Sequence, residues 1–235
     1  METEIRSNEE MQKFVDLVEE KFHPLSIFVY GSRARNDYKE DSDYEIGVFY
    51  RKDHKLSRSS LRELNLPANF NIYPFEHEAF LEYKIDTPFP EKVFLKELTT
   101  NGAMTIRGDK VVESLKPPIL SPLDLLEEVN FENGMALAAI LAYRLGDEKA
   151  SRGYFYKSCL FSARCLVTLE TGKFPITYKG IHDESIALGL GEYEEIVKKA
   201  LQVRNGEAFN EKILFQSVDF LVRKVRRNIK KNLAI

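Results

Sequence analysis

Five residues in one short stretch have the types and spacing that could do chemistry: Gly31, Ser32, Ser42, Asp43 and Glu45. Ile27 to Tyr30 is an apolar run that breaks at Gly31-Ser32, and after a polar interval the segment Tyr44 to Tyr50 alternates with period two. The pattern predicts strand, turn, short helix, strand. Successive side chains of a strand point to opposite faces, so Asp43 and Glu45 share one face with Gly47. Two carboxylates held that close repel each other, and a hard divalent cation relieves the repulsion. Mg²⁺ keeps several waters and is completed by substrate phosphates, so Asp43 and Glu45 are the candidate metal ligands of a nucleotide site. A glycine after a strand lets backbone approach a phosphate, and the Ser32 hydroxyl with the first N–H groups of the next helix suits an anion.

These residues resemble the Gly-Ser, then Ser-Asp-x-Asp/Glu, motif of the DNA-polymerase-β-like nucleotidyltransferase superfamily. The resemblance implies transfer of a nucleoside monophosphate from a nucleoside triphosphate to a hydroxyl or other acceptor. It implies Mg²⁺ at Asp43 and Glu45, and the triphosphate, with ATP as the expected co-substrate, at Gly31, Ser32 and Ser42. Superfamily members commonly carry a third acid on the following strand, and by order along the chain that place falls to Asn71. An amide is neutral and cannot act as a base. Either the third carboxylate is unnecessary, another residue such as Glu76 supplies it, or catalysis is impaired.

The elements that must position these residues follow from pattern. Ser7 and Glu10 have capping-box spacing, and Met11, Phe14, Val15, Val18 and Phe22 make an apolar stripe, which predicts a helix over Ser7 to Phe22. Asn69 to Phe75 reads as a third strand, Glu78 to Lys84 as a helix, Pro88 to Lys96 as an amphipathic segment and Met104 to Arg107 as a strand. Lys116-Pro-Pro118 marks a boundary, since consecutive prolines continue neither helix nor sheet. Beyond it the pattern is helical: Ser121-Pro122 opens a helix to Leu145, a second runs from Lys149 to Glu170, and others cover Glu184 to Val203 and Glu207 to Asn232. The expected class is α+β, a small mixed-sheet domain over residues 1–116 and an antiparallel helical bundle over 119–235.

That arrangement is similar to the kanamycin nucleotidyltransferases, whose second domain is a HEPN-like helical bundle. There a glutamate on the first helix after the boundary acts as the base. The corresponding stretch is Leu126 to Asn133, where Glu128 and Glu132 lie four apart on one helix face, and Phe131-Glu132 is the closer local match. The bland alternative for both is a solvated acidic face. HEPN ribonucleases carry Arg, a polar residue and then His; Arg204-Asn205 begins such a run, but Asn210 stands where the histidine is needed, so ribonuclease activity is not expected.

Composition bounds the rest. The 235 residues are 43% hydrophobic and 30% charged with a formal net charge of −3, an ordinary globular balance that argues against a general nucleic-acid binder. The basic run Arg223 to Lys231 reads as cations favoured at a helix C-terminus. Cys159 and Cys165 lack CxxC spacing and read as buried hydrophobes in a reducing compartment. No secretory signal and no span-length apolar run is visible, so the expected setting is cytoplasmic, without membrane contact. The leading expectation is transfer to a small hydroxylated, aminoglycoside-like acceptor, with a homodimer left open. Adenylylation of a protein or RNA, and a nucleotide-binding regulator that has lost catalysis, are the alternatives.

Overall fold

Strands β1 (Ser26–Tyr30), β2 (Tyr44–Tyr50), β3 (Phe70–Glu76) and β4 (Ala103–Gly108) form one sheet in the order β3-β2-β1-β4. The computed structural model describes residues 5, 8–40, 42–64 and 66–233. β1 runs antiparallel to β2 and β4, and β3 lies parallel to β2, so the sheet is mixed. The wholly apolar centre of β1 is buried on both sides, as a central strand requires. These strands belong to the first of two compact units, Met1–Ile119; the second is Leu120–Ile235.

Helix α1 (Glu9–Phe22) covers one face of the sheet with Met11, Phe14, Val15 and Val18, packed with Ile27, Val29, Ile46, Val48 and Ile72. Its cap is Asn8, whose side chain accepts from the Met11 N–H at 2.9 Å. The predicted capping residue, Ser7, lies outside the described residues. Short helices α2 (Ser32–Arg35), α3 (Arg58–Arg62), α4 (His77–Leu81), α5 (Glu91–Glu97) and α6 (Val111–Ser114) complete the unit. On the other face of the sheet Phe28, Phe49, Phe75 and Phe80 form an aromatic core with Leu95 and Leu98. The Phe28 and Phe49 rings stack at 4.9 Å. Gly47 makes room for them: a Cβ there would lie 2.1 Å from the Phe28 ring.

In the second unit, α7 (Pro122–Arg144) starts at a capping box between Ser121 and Asp124, and α8 (Glu148–Thr171) ends at the left-handed Gly172. The single helix expected over Glu184 to Val203 is instead two, α9 (Tyr178–Leu188) and α10 (Glu194–Arg204). Gly189 and Gly191 between them take φ of 75° and 63°, which an α-helix cannot continue through. The last helix starts later than expected because Asn210 caps it, accepting from the Ile213 N–H at 3.1 Å. It runs as α11 (Glu211–Asp219), a π-helical segment over Phe220–Arg226, and α12 (Arg227–Asn232). The wider π turn has a cause in the sequence. The buried residues Ser217, Leu221, Val225 and Ile229 recur every four positions, more than the 3.6 of an α-helix, and the π segment absorbs the drift.

Candidate active site

The first unit brings the predicted residues of the Gly-Ser and Asp-x-Glu motifs to one end of β1 and β2. Glu45 is in register with Tyr30 on β1 and with Asn71 on β3. Its carboxylate lies directly against Gly31, where an added Cβ would sit 1.7 Å from Glu45 Oε2. Gly31 has a φ of 74° and caps α2, and its N–H donates to the Gly102 carbonyl at 3.2 Å. Only glycine combines that backbone conformation with that close approach. Asp43 is exposed just ahead of β2, and Asn71 Nδ2 donates to its Oδ2 at 3.0 Å. Asp43, Glu45 and Asn71 therefore form one cluster with two negative charges.

The amide fixes one Asp43 oxygen, and the donor set is oxygen-rich and doubly anionic. Mg²⁺ needs no more than one or two protein carboxylates when phosphates complete its shell, so these residues fit the ion. Among the described residues, no group of three or more His, Cys, Asp or Glu could hold a metal on protein ligands alone. Glu76, the suggested substitute for the third acid, is excluded by register. It pairs with Tyr50, five residues beyond Asn71, which puts it on the opposite face and about 16 Å along the strand.

Ser32 begins α2 and is half-buried. The Ser42 hydroxyl accepts from the Lys39 N–H at 2.8 Å, so its observed bond is within the loop that leads to Asp43. Sequence reasoning did not find what holds that loop. The Arg33 guanidinium donates from Nε and Nη2 to the Ser42 carbonyl, at 3.1 and 2.7 Å, and from Nη2 to the Glu40 carbonyl at 3.2 Å. It also lies over the rings of Tyr44 and Tyr38, 4.2 and 4.5 Å from their centroids. One planar cation thus ties the residue after Ser32 to the residue before Asp43. Arg35, buried, pairs with Glu97 and with Asp37 at 3.5 Å, which anchors α2 to α5. Tyr30 was also missed. Burial, and then the Glu45 charge, push its phenol well above the usual range, so it stays protonated beside the acidic pair. Only the strand register reveals that neighbour.

Glu128 and Glu132 belong to the second unit, and both are buried on α7 rather than forming a solvated face. Glu128 pairs with Arg164 at 3.2 Å, and that guanidinium lies over Phe161 and Phe174, 4.6 and 4.5 Å from the ring centroids. A carboxylate facing a buried guanidinium is a poor proton acceptor. Glu132 contributes to raising the Cys159 and Cys165 thiols, whose main cause is burial.

Residues 12–107 match the family model described as polymerase beta, nucleotidyltransferase. The first unit is a nucleotidyltransferase domain. The nucleotidyltransferase fold extends to a solved structure similar over most of the chain, spectinomycin adenyltransferase AAD(9) from Enterococcus faecialis, crystallised with ATP and spectinomycin. The two share 15% identity at a TM-score of 0.58, over 92% of this chain and 98% of that one. This likeness shows a common α+β fold, a four-stranded mixed sheet followed by helices. No curated protein sequence matches the chain. Among the described residues, no helix is long and apolar enough to cross a membrane.

Proposed function

We propose that this nucleotidyltransferase moves a nucleoside monophosphate, from ATP as the preferred donor, to a hydroxyl of a small aminoglycoside-like molecule, with Mg²⁺ as cofactor. The observation that carries the reading is the cluster of Asp43 and Glu45 beside Gly31, with Asn71 donating to Asp43. Gly31 and Ser32 would bind the triphosphate through close backbone approach and the serine hydroxyl, with Ser42 shaping the loop above it. Asp43 and Glu45 would hold Mg²⁺, which when bound neutralises phosphate charge. The acceptor hydroxyl would give its proton to a glutamate as its oxygen bonds the α-phosphorus and pyrophosphate leaves. We assign that base to Glu132 in preference to Glu128, because Arg164 already compensates the Glu128 charge. The kinship of fold with an adenyltransferase crystallised with ATP and spectinomycin supports the donor and the acceptor class.

Pyrophosphate release from each nucleoside triphosphate, against a panel of aminoglycosides that includes spectinomycin, tests the reading. ATP with at least one acceptor should turn over, Asp43→Asn should abolish turnover, and Glu132→Gln should lower it about a hundredfold or more. Silence with every pair would end the proposal. Asn71 favours a second reading, a nucleotide-binding regulator without catalysis; it predicts ATP binding without turnover and a large gain on Asn71→Asp.

A further inference from the structure

The last helix carries its charges in two blocks. Around α11, Glu192, Glu195, Glu211 and Asp219 line a groove of about 690 Å³, with Tyr193 and Phe215 among its walls and Lys212 its one cation. Beyond Asp219 the sign reverses: Arg223, Arg226, Arg227, Lys230 and Lys231 line a second hollow of about 430 Å³ with no acid in it. Asp219 and Arg223 meet at 2.8 Å and mark the border. Two large apolar side chains lie exposed on this stretch, Val222 next to the border and Phe215, which are 39% and 50% accessible. The cationic half is not built to enter a lipid surface, because Val225 and Ile229 are wholly buried in the bundle.

We propose that this face is a homodimer interface, on which the helix from Glu211 to Asn232 lies antiparallel against the same helix of a second copy, with the two-fold axis near Val222. A surface acidic at one end and basic at the other is complementary to itself once reversed. Under two-fold symmetry each acid-to-base contact forms twice, whereas a parallel arrangement would oppose like charges. A polyanion would meet the acidic half and a polycation the basic half. The partner that matches both is one of reversed polarity, which the chain itself supplies. Val222 would meet its own copy at the centre, with the two Phe215 rings to either side excluding water. The face is one helix wide and about 31 Å long, from 1.5 Å per residue, which places the contact at the small end of specific interfaces. Its stability therefore depends on the charges, and so on salt.

Sedimentation of the full chain at about 0.05 M and about 0.5 M salt, across which charge pairing becomes strongly screened, should show a dimer that dissociates at the higher value. Two charge-reversed chains sharpen the test: Arg227→Glu with Lys230→Glu and Lys231→Glu, and separately Glu192→Lys with Glu195→Lys. Each alone should be monomeric, and an equimolar mixture should form a one-to-one heterodimer, which also shows that both variants are folded. A wild-type monomer at every concentration, dimers indifferent to either set of reversals, or a mixture that stays monomeric would overturn the proposal.

Discussion

Asn71 sets the electrostatics of the acidic pair. Its amide donates to Asp43 where the superfamily pattern has a carboxylate, so the cluster carries one negative charge fewer while keeping Asp43 oriented. Asn71→Asp would place two carboxylates about 3 Å apart, which cannot both ionise freely. The folded-state pKa of that pair rises above its unfolded value, so the variant should match the parent at acidic pH and lose stability as pH rises towards neutrality. Melting in chelator should show the loss at neutral pH, and added Mg²⁺ should reverse it. With Glu132 as base, turnover should change by less than about tenfold, since the new acid replaces an orienting group and not the proton acceptor. Gly31→Ala is the harsher change: its Cβ collides with Glu45 and its φ is left-handed. Strain of this kind costs about 1–3 kcal/mol, and displacement of Glu45 should remove nearly all pyrophosphate release; urea unfolding and the assay measure the two separately. Gly31, Ser32, Asp43 and Glu45 were legible in the sequence because their relation is local. Tyr30 beside Glu45, and the bond from Asn71 to Asp43, were not, because they arise from pairing across strands.

Among the elements, the loop between α2 and β2 is held by a single side chain. Arg33→Lys keeps the charge but loses the planar fork that reaches two carbonyls and the flat face that lies over Tyr38 and Tyr44. Backbone amides from Tyr38 to Ser42 should exchange faster in hydrogen-exchange measurements, and turnover should fall about tenfold or more. Global melting should move little, because the aromatic core and the α1 face are untouched. Strand positions, the capping box of α7 and the end of α8 at Gly172 were readable, since alternation, caps and glycine act within a few residues. The break at Gly189 and Gly191 was not. Apolar spacing continues on both sides of it, and a glycine inside a helix costs only about 1 kcal/mol, too little to announce an ending. The Asn210 cap was seen only as a missing histidine.

The whole molecule is two units joined at Ile119–Leu120, close to the paired prolines that mark the change of pattern in the sequence. Both contain groups that favour the folded state only while protonated. Burial raises the thiols of Cys159 and Cys165 in the bundle and the phenol of Tyr30 in the sheet. The unfolded chain loses these protons first, so stability is fully present below the ordinary thiol value of about 8.5 and declines above it. Each group can steepen that decline by up to about 1.4 kcal/mol per pH unit. Urea unfolding from neutral to alkaline pH should show the slope, and Cys165→Ala should flatten it. The π segment of the last helix makes length matter more than residue type there. Deleting a single codon anywhere from Phe220 to Arg226 would let the backbone close into an unbroken α spiral, yet rotate everything after it by about 100°. Ile229 would swing away from the bundle and the terminal cations would point elsewhere, although every surviving residue would be unchanged.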